Sequence, residues 1–224
     1  MKIVLGNEAT FEDAKKIGKA VLVAKNGKNE FCAIAGELKI ISEIKNLGIV
    51  LECLTDLGFD FAILEGFELE IEEIKDEVGF NIPKAEKIDD LQKAPEFETI
   101  KSIAEKLKKG LMDCGAVGIF VGVARGVSEG KKVEMLEYEA YKEILDDKVK
   151  ELVKKVKKFP GIKNVEIYHK IGKIKPGEDI VYIGVIGQHR KDIWAPLILA
   201  VELMKTDLPI WKKERFENGE ERWI

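Results

Sequence analysis

The chain has 224 residues, 46% of them hydrophobic and 35% charged, which argues against disorder and fibrous repeats and, at about 100–200 residues per domain, allows one large domain or two small ones. Its 37 basic and 41 acidic residues give a formal charge of −4, so a wholesale electrostatic grip on nucleic acid or on an anionic membrane is not expected, and any anion must be held locally. No apolar run approaches the roughly 20 residues of a spanning helix, and residues 1–6 are too short for a secretory core; the expected location is the cytoplasm.

The first part of the chain alternates strand-like and helix-like stretches: a strand at 1–5, an amphipathic helix at 10–19, and strands at 20–25 and 30–35. That alternation reads as a small α/β domain. Residues 37–46 carry Leu38, Ile41, Ile44 and Leu47 at helical spacing, 49–54 is an apolar run, and 60–64 is a buried strand that delivers Glu65 to its C-terminal end. From Gly79 to Pro95 the chain turns polar, so the domains are expected at 1–95 and 96–224.

A helix at 96–109, stopped by Gly110, follows and could belong to either domain. A continuous apolar strand follows at 115–123, then an alternating, half-buried strand at 133–141 and a long amphipathic helix at 141–158. Strands at 164–171 and 179–187 flank the turn sequence Lys175-Pro176-Gly177-Glu178. Ile193, Trp194, Leu197, Ile198, Val201 and Met204 mark an apolar helix face that Pro209 ends, and the Asn218-Gly219 turn closes a hairpin of 210–216 with 221–224. The expected class here is α+β with antiparallel strands and helices.

Three separated cysteines, Cys32, Cys53 and Cys114, and two histidines form neither a disulfide framework nor a zinc motif. Gly118, Gly122 and Gly126 imitate a membrane dimer motif within a stretch too short for a membrane, so close packing is the better reading. The lysine run at 154–158 is a solvated helix face. His169 shares a strand face with Val165, Ile167 and Ile171 and reads as a buried, hydrogen-bonded ring outside any catalytic set.

His189 and Arg190 stand where a strand gives way to a helix, a place that suits an anionic ligand. Lys205 lies near the end of that helix. Lys212 comes seven residues later and is separated from it by Pro209, so the two can meet only if the chain folds back. Convergence of Arg125, His189, Arg190, Lys205 and Lys212 would make a local cationic pocket in an acidic protein, suited to a phosphorylated substrate.

In this order, Gly115-Ala116-Val117 through Arg125, Leu136 to Tyr141, His169 to Gly172, His189-Arg190, and Lys205-Thr206 through Pro209 to Glu214 resemble the MoaE family, the catalytic large subunit of molybdopterin synthase. The likeness covers roughly residues 111–224. It implies a sulfurtransferase that converts cyclic pyranopterin monophosphate into molybdopterin, with sulfur supplied as the C-terminal Gly-Gly thiocarboxylate of a small ubiquitin-like carrier. It also implies a homodimer with carriers docked on it as a heterotetramer, and no metal or cofactor at this step. Carried over by motif, Lys205 and Lys212 are catalytic, Arg125, His189 and Arg190 contact the substrate anion, and Val123, Ala124, Lys213 and Glu214 line the same pocket.

The residue types suit that reaction, because adding a thiocarboxylate sulfur and opening a cyclic phosphate both develop negative charge that fixed cations stabilise. Whether Lys205 moves protons or attacks the carrier's acyl carbon stays open. So does a non-catalytic scaffold role in cofactor assembly. Family members commonly continue past the final Arg-Trp, so a tail contribution to the pocket is expected to be missing here. The segment Asp60 to Phe67 resembles MobB-type nucleotide-binding proteins, yet the chain has no phosphate-binding glycine loop of the Walker type. The expectation for the first domain is a reduced relative without nucleotide hydrolysis.

Overall fold

The computed structural model describes residues 1–224, apart from the side chains of Glu77, Lys142 and Glu143. Two compact units divide the chain, Met1–Ser102 and Ile103–Ile224. The first contains β1 (Lys2–Leu5), α1 (Glu8–Ile17), β2 (Ala20–Lys25), β3 (Glu30–Ala35), β4 (Leu38–Glu43), α2 (Leu47–Asp56), β5 (Phe61–Glu65), α3 (Ile71–Val78) and α4 (Ile88–Lys93). Its sheet runs β1-β5-β2-β3-β4, parallel across β1, β5 and β2 and antiparallel beyond. Apolar strands buried on both sides, such as Phe61–Leu64, fit the parallel half.

One sequence expectation fails here. Residues 37–46 are not a helix but the edge strand β4 followed by a 3₁₀ turn at Ile44–Asn46. Leu38 and Ile40 pack on the core whereas Ile41 stands 59% exposed, a period of two that overrides the coincidental helical spacing. The helix lies just beyond, where the apolar run becomes α2 and buries Leu47, Val50, Leu51 and Leu54.

The helix α5 (Ile100–Lys108) leads into the second unit, followed by β6 (Ala116–Val123), β7 (Val127–Ser128), β8 (Lys131–Ala140), α6 (Lys142–Val156), β9 (Ile162–His169), β10 (Gly172–Ile174), β11 (Asp179–Gly187), α7 (Arg190–Asp207), β12 (Ile210–Phe216) and β13 (Glu221–Trp223). All the strand pairings among them are antiparallel. One sheet is β6-β11-β9, and the other is β10-β8-β12-β13 with β7 on β8.

The central strand β11 shows why a continuous apolar run was needed. Val181, Ile183 and Val185 point into the core shared with α6 and α7, while Tyr182 and Ile186 meet Ile103 and Leu107 of α5 on the opposite face. Gly184 lets α5 approach, since a Cβ there would lie 2.5 Å from Leu107 Cδ1. Gly118 does the same for α7, where a Cβ would come within 3.2 Å of both Ile193 and Leu197.

The predicted apolar face of α7 divides in two. Ile193, Leu197, Val201 and Met204 join the core, but Trp194 and Ile198 are 59% and 65% exposed. Pro196 is buried inside this helix; it lacks the N–H that would bond the Asp192 carbonyl, and the surrounding packing holds the helix together across the gap.

Candidate active-site cleft

The cleft forms where the second sheet meets the ends of β6 and β11. It has a volume of about 130 Å³ and is lined by Val123, Arg125, Ser128, Leu136, Tyr138, Ile180, Lys212 and Glu214. Backbone bonds set its first wall. Ala124, itself buried, donates its N–H to the Glu178 carbonyl at 2.9 Å and accepts from Gly177 N–H at 2.8 Å. The turn predicted at 175–178 thus anchors the loop that carries Arg125.

Strand register sets the second wall. In the β8–β12 ladder Lys212 lies opposite Tyr138 and Glu214 opposite Leu136, and alternate residues of β12 face the same side. Glu214 is only 4% exposed, so its charge needs partners. Lys212 Nζ donates to Glu214 Oε1 at 2.9 Å and Arg222 Nη2 to Oε2 at 3.2 Å. Burial pushes the Glu214 carboxyl up, but hydrogen bonds from Lys212, Ser128 and Arg222 outweigh it and hold the group below its ordinary range. Beside it, burial and the Glu214 charge push the Tyr138 hydroxyl up to about 12 against the pull of Arg125, so the phenol stays protonated.

The sequence-predicted residues are therefore brought together only in part. Val123, Arg125, Lys212 and Glu214 meet in the cleft. Ala124 lies beneath it, supporting Arg125 through the backbone. Lys213 faces the other side of β12, where it pairs with Glu137 directly across the ladder at 2.6 Å and lies 5.3 Å from the Trp223 ring centre. The hydrogen bond from Lys213 to Glu137 holds its ammonium above the ordinary lysine range.

Lys205 occupies the last turn of α7, exposed, with Glu202 at 3.3 Å. His189 is the N-cap residue at the opposite end, 16 residues away, which at 1.5 Å per residue is about 24 Å. The start of α7 already holds an anion of its own. Asp192 Oδ2 accepts from His189 N–H at 2.9 Å and lies 3.2 Å from His189 Nδ1, so its carboxylate complements the helix dipole. The His189 and Arg190 side chains stay exposed outside the cleft.

Sequence reasoning missed Ser128, Leu136, Tyr138 and Ile180. The alternation of β8 contained the signal for Leu136 and Tyr138, which fall on one face of that strand. His169 supports this wall from behind, with its ring edge-on to Tyr138 at 5.0 Å between centres. Its Nδ1 lies 2.6 Å from the Lys170 carbonyl, an acceptor only, so Nδ1 carries the proton. Burial lowers the ring to about 4, partly opposed by that hydrogen bond.

A ring whose folded value lies below the ordinary 6.5 binds fewer protons folded than unfolded, so its contribution is complete above pH 6.5 and is lost as pH falls towards 4. The expected loss is roughly 2 kcal/mol at pH 4.5 relative to pH 7. Urea unfolding of the native chain and of His169→Phe at both pH values isolates it, because the carboxyl groups titrate in both proteins. An equal loss of stability between pH 7 and pH 4.5 in the two proteins would remove His169 as the source.

A family model described as "MoaE protein" matches residues 94–207, a span that includes Arg125, His189, Arg190 and Lys205 and ends before Lys212. The chain is 35% identical over 127 residues to a molybdopterin synthase catalytic subunit of Taeniopygia guttata, covering 53% of this chain and 82% of that protein. A protein of the same description from Drosophila willistoni is 41% identical over 108 residues, covering 48% of this chain and 29% of that longer protein. The crystal structure of molybdopterin synthase from Staphylococcus aureus superposes with a TM-score of 0.52 at 34% identity, over 57% of this chain and 90% of that one. With the family pattern running through β6, β8, β11 and α7, and with a homologous catalytic subunit matched over most of its length, the chain belongs to the MoaE protein family.

Proposed function

We propose that this chain is the catalytic subunit of a molybdopterin synthase, moving sulfur from the C-terminal thiocarboxylate of a small ubiquitin-like carrier to cyclic pyranopterin monophosphate to form the dithiolene. The observation that carries the reading is a cleft in which Arg125 and Lys212 face a buried carboxylate and a protonated phenol, with Arg125 and Tyr138 inside the residues that match the family and Lys212 and Glu214 just beyond them. Arg125 and Lys212 provide fixed positive charge where phosphate-ring opening and sulfur addition develop negative charge. Tyr138, neutral and buried, offers an O–H donor to the same region. Lys205, His189, Arg190, Ala124 and Lys213 remain part of the proposed functional set by family motif.

The chain is proposed to act as a homodimer. About 130 Å³ is well under the roughly 300–1,000 Å³ of a small-molecule site, and one α7 separates His189 from Lys205 by about 24 Å. A second copy supplies what one lacks. The surface for it includes β6, an edge strand that exposes Val117, Phe120 and Val123, a feature that solitary proteins usually cover.

For the first unit we retain the reading of a reduced MobB-type relative without nucleotide hydrolysis. The absence of hydrolysis is supported by the start of α1, where Asn7 and Thr10 cap each other's backbone N–H groups, two donors that a phosphate loop would present free.

The test of the main reading is reconstitution. The full chain, incubated with cyclic pyranopterin monophosphate and a thiocarboxylated carrier, is expected to yield dithiolene product at a rate proportional to protein. Product no faster than in a mixture lacking the chain would refute it.

A further inference from the structure

Arg222 has so far entered only as a partner of Glu214. In the β12–β13 ladder it lies directly opposite Glu214, so the two side chains leave the same face of the sheet, the one that carries Lys212. The Glu214 carboxylate is divided between two cations, with Lys212 on Oε1 and Arg222 on Oε2. In the other direction Arg222 Nη1 donates to Glu129 Oε2 at 2.6 Å. Glu129 sits in the tight turn between β7 and β8 at φ 49, a left-handed conformation that costs a non-glycine residue free energy unless the surroundings hold it. Its neighbour Ser128 lines the cleft and hydrogen-bonds Glu214.

Charge arithmetic gives this arrangement a consequence. A Lys212–Glu214 pair alone is neutral and would leave Arg125 as the net charge of the cleft. With Arg222 on the second oxygen the buried Glu214 charge is shared between two cations instead of being taken up by Lys212 alone, while the exposed Glu129 offsets Arg222 on its outer side. The planar guanidinium also bridges Glu214 and Glu129 through separate nitrogens, a fork that an ammonium does not reproduce in fixed geometry.

We infer that Arg222 is a positioning residue of the cleft: by taking one oxygen of Glu214 it keeps Lys212 available to an anionic group. The identity of the anion rests on the sulfur-transfer reading, but the arrangement of Arg222, Glu214 and Lys212 does not.

The test uses the full chain as Arg222→Gln, Arg222→Lys and Glu129→Gln. Steady-state kinetics with the pterin substrate give one readout, and carbon-13 NMR titration of the Glu214 carboxyl gives another that needs no turnover. Arg222→Gln is expected to raise KM about tenfold with kcat changed less than about threefold, as loss of a charge-assisted contact acting on binding predicts. The Glu214 carboxyl should titrate at higher pH in that variant. Arg222→Lys is expected to restore most of the Glu214 titration but only part of KM. Glu129→Gln should stay within about twofold of native KM, because the Glu129 carboxylate is itself exposed and its pair with Arg222 is screened by solvent.

Unchanged KM together with unchanged Glu214 titration in Arg222→Gln would overturn the inference. So would a Glu129→Gln variant that matches Arg222→Gln, since the effect would then reside in the hairpin alone. If the native chain fails to turn over, the sulfur-transfer reading falls, and the Glu214 titration still decides for or against Arg222.

Discussion

Replacing Lys205 with alanine is expected to cut sulfur transfer by about 10²-fold or more while the protein stays folded. The structural cost is small because the side chain is exposed at the end of α7 and its contact is a 3.3 Å pair with Glu202 one turn back. Such a helix-end cation contributes about 0.3–1 kcal/mol. A reacting amine contributes far more, whether it moves a proton or attacks the carrier's acyl carbon. Single-turnover assays with circular dichroism as a folding control measure both quantities. Native turnover in Lys205→Ala would remove the residue from the mechanism, and loss of turnover with loss of fold would mean that α7 depends on it structurally.

The elements that set this site differed in how far the sequence revealed them. β11 was legible because a strand packed on both faces must be apolar throughout, and β8 because its alternation marks one wet and one dry side. The pairing of β8 with β12 was not legible, and it is this register that sets Lys212 and Glu214 facing the cleft and turns Lys213 towards Glu137. A motif places neighbouring residues together in sequence, whereas a strand sends them to opposite faces.

The first unit shows the same limit in reverse. Leu38, Ile41, Ile44 and Leu47 match a helical spacing, yet β4 forms because β3 offers an unpaired edge and Leu38 with Ile40 fill the core beside it. Tertiary pairing decided against local periodicity. At α7 the motif residues His189 and Lys205 were both visible in sequence, but the helix between them fixes a distance that sequence order conceals.

That distance leads to the other large expected effect. His189 and Lys205 lie at opposite ends of one 18-residue helix, about 24 Å apart, and neither side chain is long enough to close the gap. If both act on one substrate molecule, each must come from a different copy of the chain. His189→Ala and Lys205→Ala homodimers should then each be nearly inactive, since both of their sites lack the same group. A mixed dimer behaves differently. One of its sites combines the two altered residues and is inactive, while the other combines the native Lys205 of one copy with the native His189 of its partner. Random pairing of equal amounts makes half of all dimers mixed, each with one working site of two, so about a quarter of native activity should return. Coexpression of the two variants with different affinity tags, followed by assay of the doubly tagged species, measures this directly. That species should show about half of native activity. Activity no higher than in either parent would place both groups within one copy, in conflict with the helix, and full activity in the His189→Ala homodimer would take His189 out of the reaction.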